Sequence, residues 1–221
     1  MALPTAVLFD FSGTLFHVES AAAAVRAALG PEHGHRAADL ARWGAINGSG
    51  VPAGLPEAMR DVWDRRDLSA DAHRAAYSGM ARQAGLDEAQ AHALYERGVS
   101  AEAWSPYPDT GEVLRRLRER GVPVAVVSNI GWDPRPVFAR HGVAGLLDVL
   151  VLSDERGVLK PDPAIFRLAL DELGVAPDGA VMIGDNEVND GGATALGLRF
   201  ELVPEDPTRR APDALLRAAG V

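Results

Sequence analysis

Cysteine is absent from the 221 residues, which excludes disulfides, thiolate chemistry and cysteine-based zinc sites. Lysine is almost absent. Of the 22 cationic side chains 21 are arginine and one, Lys160, is lysine, so any chemistry that needs a primary amine has one candidate. No apolar run reaches the roughly 18 residues of a membrane span. A basic surplus is missing too: 31 acidic against 22 basic residues leave a formal net charge of −9. Nucleic-acid backbones are bound by basic stripes, so neither nucleic acid nor membrane is an expected partner. The opening Met-Ala-Leu-Pro lacks the basic flank and cleavage site of a secretory leader, and a cytoplasmic location is expected. The six histidines show no ligand spacing of the His-Glu-x-x-His kind.

What the chain does contain is a rhythm. Five short runs rich in Val, Ile and Leu stand at Ala6–Phe9, Val122–Val127, Leu147–Leu152, Ala180–Ile183 and Leu198–Val203. They alternate little between apolar and polar, as strands buried on both faces do. Helix punctuation lies between them. Asp109 with Glu112 three residues on predicts a helix start, and Gly121 its end. Asp133-Pro134 and Asp162-Pro163 read as caps followed by Pro at the first helical position, and Gly174 closes the second helix. Strand alternating with helix predicts an α/β fold, a Rossmann-like parallel sheet flanked by helices.

Residues 17–103 break the rhythm. They are Ala-rich and without a convincing strand, and Ser20, Ser69 and Asp87 (with Gln90) read as helix caps. The expectation is an inserted all-helical domain over 17–103, with a core formed by 1–16 and 104–221. Hinges fall near 15–18 and 102–106. Gly44–Pro56 reads as a loop within the insertion. Its Gly48-Ser-Gly50 piece follows no strand and is no dinucleotide-binding turn. Trp43, Trp63, Tyr77 and Tyr95 read as helical-domain core.

The polar residues that carry chemistry sit at the ends of the predicted strands. Asp10 opens Asp10-Phe-Ser12-Gly-Thr14 after the first run, Ser128-Asn129 follow the second, Lys160-Pro161 lie in the loop after the third, and Asp185 and Asp190 follow the fourth in Gly184-Asp-Asn-Glu-Val-Asn-Asp190. In a parallel sheet these converge on one edge, where ligands of open α/β sheets bind. Carboxylates, one ammonium and one hydroxyl then share a pocket. Hard oxygen ligands beside a phosphate are what Mg²⁺ prefers, and phosphoryl transfer depends above all on positioning and charge neutralisation.

With these four motifs in order, the chain resembles a haloacid-dehalogenase-superfamily hydrolase of the helical-cap type. The resemblance covers roughly residues 4–16 and 104–205; the cap agrees only in position and helical character. It implies a role for each residue. Asp10 is the nucleophile that forms an aspartyl-phosphate. Ser128 binds a phosphoryl oxygen, helped by Asn129, and Lys160 neutralises developing charge and holds Asp10. Mg²⁺ is bound by Asp10, the backbone carbonyl of Ser12 and Asp185, with Asp190 in support. The cap closes over the site and selects the substrate.

Position 12 departs from the phosphatase pattern, in which a second Asp protonates the leaving oxygen. Ser12 cannot do so near neutral pH, and loss of such a group lowers rates by about 10²–10⁴. Either the leaving group departs unprotonated, or another residue such as His17 or Glu19 stands in, or the chemistry is different. The expected function is Mg²⁺-dependent hydrolysis of a small phosphorylated metabolite. Two alternatives stand beside it: a 2-haloacid dehalogenase, whose family pattern also lacks the second Asp, and a catalytically silent metabolite-binding protein. The Schiff-base route of phosphonoacetaldehyde hydrolases needs a lysine in the cap, and residues 17–103 have none.

Overall fold

The computed structural model describes residues 3–42, 51–52 and 54–221. Trp43 and most of the predicted Gly44–Pro56 loop lie outside the described residues. Among the described residues seven strands run β1 (Val7–Phe9), β2 (Phe16–Val18), β3 (Trp104–Pro106), β4 (Val124–Ser128), β5 (Val149–Leu152), β6 (Val181–Gly184) and β7 (Arg199–Leu202). Five of them form one parallel sheet in the order β5-β4-β1-β6-β7, and β2 pairs with β3 in a two-stranded sheet. Each predicted apolar run holds one strand of the large sheet, with ends that agree to within one or two residues; β4 and β6 each run one residue further, to Ser128 and Gly184. The β2–β3 pair was not foreseen: with three residues each, these strands are too short to show a period.

β1 is the middle strand. Val7, Leu8 and Phe9 are fully buried, and Phe9 lies in register with Val126 of β4 and Ile183 of β6. The chain adds β4 and β5 on one side of β1, then crosses to add β6 and β7 on the other. Direction reverses at β1, and crevices for ligands open at such reversals.

The Cα–Cβ bonds alternate across the sheet. Ala6, Leu8, Ala125, Val127, Ala180 and Met182 point to one face, where they pack against Ile165, Phe166, Ala169 and Leu170 of the helix Pro163–Leu173. The helices Thr110–Glu119 and Ala214–Ala219 cover β4 and β6 from the other side. Burial of each large apolar side chain contributes about 1.5–3 kcal/mol, so these two layers hold the strand ends in place.

The chain divides into two compact units. One comprises Met1–His17, Pro106–Asn129 and Phe138–Val221; the other comprises Val18–Ser105 with Ile130–Val137. The second unit is mainly helical: Ala21–Leu29, Ala37–Arg42, Arg60–Asp64, Ala70–Gln83 and Glu88–Val99. The expected caps are present. Ser20 and Ser69 accept from Ala23 and Ala72, and Asp87 and Gln90 form a capping box. The core of this unit joins Val25, Leu40, Trp63, Tyr77, Met80, Leu94 and Tyr95, which places the three expected aromatics that lie among the described residues. Within it His73 is buried and meets the Tyr95 hydroxyl at 3.1 Å. No helix among the described residues is long and apolar enough to cross a membrane.

One predicted cap is absent. Asp109 makes no capping bond to the helix Thr110–Glu119. Its Oδ2 instead accepts from the backbone of Leu215 and Leu216, at 2.7 and 3.3 Å. Tertiary pairing with the start of the C-terminal helix has taken a carboxylate that local pattern assigned to its own helix.

Candidate active site

The β1–β6 ladder continues one residue past β1, where the Asp10 N–H donates to Ile183 O at 3.0 Å. This carries the Asp10 carboxylate to the strand end. The chain then folds back tightly, with Leu15 and Phe16 N–H both donating to Phe11 O. Phe11 and Phe16 stack with centroids 5.4 Å apart, and Phe138 meets both edge-on. Burial of these rings anchors the turn from beneath, while Ser12 stays exposed. Gly13 has φ +83°, and a Cβ there would lie 2.6 Å from Asp185 Oδ2. Only glycine lets the turn approach that carboxylate.

Lys160 is 5% exposed, and its ammonium donates to Asp10 Oδ1 at 2.6 Å and to Asp190 Oδ1 at 2.7 Å. The other oxygen of Asp190 accepts from Asn186 N–H at 2.9 Å. A Cβ on Gly184 would collide with the Asp190 carboxylate, so the glycine makes room for it. Ser128 closes β4, buried and in register with Leu152. The Lys160–Pro161 peptide is cis.

Asn129, beside Ser128, is hydrogen-bonded to the backbone of Lys160. Its side-chain oxygen accepts from Lys160 N–H at 2.7 Å, and its NH₂ donates to Lys160 O at 2.9 Å. The amide reproduces a strand-like pair with the backbone of Lys160 and occupies both of its polar ends there.

Asp10, Asp185 and Asp190 offer carboxylate oxygens that all lie within 4.8 Å of one another. Burial pushes Asp10 up to about 6 against the pull of Lys160, whose ammonium donates to it. Burial, then the charges of Asp10 and Asp190, push Asp185 up to about 8. Burial also works against the Lys160 charge, but Asp10 and Asp190 outweigh it and hold the ammonium protonated beyond its usual range. Three carboxylates face one ammonium. A hard divalent cation fits that donor set and would draw both raised carboxyls down.

Two groups that sequence reasoning passed over belong to this cluster. The Thr14 hydroxyl reaches Asp185 Oδ1 at 3.4 Å, and Asn186 supplies its backbone to Asp190. Both lie inside motifs already singled out, so proximity in sequence was the available signal. Glu19 receives two hydrogen bonds from Arg97, at 2.6 and 2.8 Å. The His17 ring packs edge-on against Tyr107, centroids 5.2 Å apart.

Residues 4–197 match the haloacid dehalogenase-like hydrolase family. The chain is 33% identical over 201 residues to a phosphoglycolate phosphatase of Cereibacter sphaeroides, covering 90% of this chain and 84% of that one. It is 39% identical over 108 residues to a phosphoserine phosphatase of Thermus thermophilus, a match that spans 46% of this chain and 43% of that protein. Among solved structures, an L-2-haloacid dehalogenase from Xanthobacter autotrophicus superimposes with a TM-score of 0.68 at 25% identity, covering 97% of this chain and 82% of that one.

Proposed function

The chain belongs to the haloacid dehalogenase-like hydrolases, and on that premise we propose that it is a Mg²⁺-dependent phosphatase of a small phosphorylated metabolite, acting through an aspartyl-phosphate on Asp10. The observation that carries this reading is the junction of Asp10, Lys160 and Asp190 with Asp185 at the ends of β1 and β6. The relatives named phosphoglycolate and phosphoserine phosphatase support phosphomonoester chemistry. The helical unit is assigned the part of a substrate-selecting cap.

Each residue has a task in the proposed reaction. Asp10, ionised beside Lys160, attacks phosphorus. A bond forms from its carboxylate oxygen as the ester P–O bond breaks. Lys160 holds Asp10 in one orientation and offsets charge on the transferring group. Ser128 donates its hydroxyl to a phosphoryl oxygen. Asp10, the carbonyl of Ser12 and Asp185 would hold Mg²⁺, which supplies further charge neutralisation, and Asp190 keeps Lys160 and the loop at Asn186 in place. Water then cleaves the acyl-phosphate, freeing phosphate and Asp10.

Ser12 supplies no acid for the leaving oxygen. The reading therefore favours substrates whose alcohol or acid departs without a proton, such as acyl or aryl phosphates. The test is a screen of phosphorylated metabolites with and without Mg²⁺, followed by single-turnover labelling from a ³²P substrate. Label on Asp10, absent from Asp10→Asn, is the expected result. Turnover that survives complete chelation, or label that never appears, overturns the reading.

The dehalogenase alternative is favoured by Ser12 and by the likeness to the Xanthobacter enzyme. Halide leaves without a proton, and this alternative predicts release of halide from a 2-haloacid that chelation does not touch.

A further inference from the structure

We propose that Arg210 is a positioning residue that clamps the turn after Asp10 from behind and so sets the distance between Asp10 and Asp185. Arg210 lies past residue 197, where the family match ends. It is 8% exposed. Its guanidinium donates to Gly13 O at 3.0 Å and to Thr14 O at 2.7 Å, a fork that spans two successive carbonyls of the turn. The Cζ of the same group lies over the Tyr107 ring, 3.7 Å from its centroid. The Tyr107 hydroxyl in turn donates to Glu205 O, and Arg210 N–H closes a turn onto Asp206 O at 3.1 Å. Segment 205–210 is thereby tied to the core at both ends of the stack.

The turn that Arg210 grips is the one that faces Asp185. Gly13 presents its bare Cα to that carboxylate, and Thr14 reaches it through its hydroxyl. Between Asp10 and Thr14 the chain has one positive-φ residue, Gly13, and the exposed Ser12. The turn's own bonds run from Leu15 and Phe16 N–H to Phe11 O and from Gly13 N–H to Phe16 O. The planar, permanently charged fork of Arg210, with an aromatic face behind it, adds a hold on the Gly13 and Thr14 carbonyls. Lysine could keep the charge but not the paired geometry, so the two contributions are separable by substitution.

The proposal rests on the reading of Asp185 as a cation ligand only in its second consequence, which permits two independent measurements. The first is hydrogen exchange by mass spectrometry on the metal-free protein. Arg210→Lys should exchange faster in the peptide covering 11–16 while the strands of the large sheet keep their protection. The second is calorimetric titration with Mg²⁺. Partners that orient a metal's ligands typically change metal affinity by about 10–100-fold when lost, and Arg210→Lys should weaken binding by a factor in that range. If the 11–16 peptide exchanges as in the parent protein, the clamp is refuted. If it exchanges faster but Mg²⁺ affinity is unchanged, the link to Asp185 is refuted. If the parent protein binds no Mg²⁺, the phosphatase reading fails while the exchange result still decides the clamp. Should Arg210→Lys not fold, Tyr107→Leu removes the stacking face and keeps the fork; it should loosen the same peptide to a smaller extent, and unaltered exchange there counts against the proposal.

Discussion

Asn129 holds Lys160 by its backbone, with hydrogen bonds of 2.7 and 2.9 Å in opposite directions. The ammonium that meets Asp10 is thus positioned from its main chain as well as from its head group. Asn129→Asp keeps the acceptor and loses the donor, leaving Lys160 O without its partner. Loss of a buried hydrogen-bond partner costs about 1–3 kcal/mol. We expect a lower urea midpoint with an unchanged m-value, and a kcat that falls more than KM rises, as the proposed action of Lys160 on the reacting atoms requires.

Ser12→Asp restores a carboxyl where phosphomonoesterases of this pattern have one. On an alkyl phosphate with a poor leaving group the rate should rise, toward the about 10²–10⁴ that general acid catalysis supplies. On an acyl phosphate it should change little. Equal effects on the two substrates would show that proton delivery at position 12 is not what limits the parent enzyme.

Gly13→Ala places a methyl 2.6 Å from Asp185 Oδ2 on a residue with φ +83°. The left-handed conformation alone costs roughly 1–2 kcal/mol for an L-residue, and the contact forces Asp185 to move. Mg²⁺ binding measured by calorimetry should weaken by an order of magnitude or more. Ala at Gly142 (φ +69°), which meets nothing within 4 Å, is the control that carries the backbone strain without the contact.

Acid should weaken the helical unit through His73. Burial, with Arg66 and Arg74 adding to it, holds this imidazole down at about 3 from a usual 6.5. The folded form therefore binds fewer protons than the unfolded chain across that interval. The stability that neutral His73 contributes is present above about 6.5 and is lost as pH falls toward 3. Thermal unfolding followed from pH 7 to pH 4 should show the decline, and His73→Phe should flatten it. A slope unchanged by the substitution would assign acid sensitivity elsewhere.

The five strands of the large sheet, the caps at Ser20, Ser69 and Asp87, and the gathering of Asp10, Lys160, Asp185 and Asp190 at one edge of that sheet were legible in one dimension. Buried parallel strands need unbroken apolar runs, helices need caps and glycine stops, and a sheet whose strands run one way delivers every strand end to one edge. These are local or topological requirements, and composition carries them. Pairings across long stretches of chain were not legible. Asp109 looks like a cap and serves residues 215 and 216. The two bonds from the Asn129 side chain to the backbone of Lys160 have no signal in the sequence. Arg210 is one of 21 arginines and has no pattern to distinguish it, yet it lies against Gly13 and Thr14. Whether a polar side chain in a loop turns to solvent, to substrate or to another loop depends on which main-chain groups are left unpaired beside it once the sheet has closed, and only packing of the whole unit decides that.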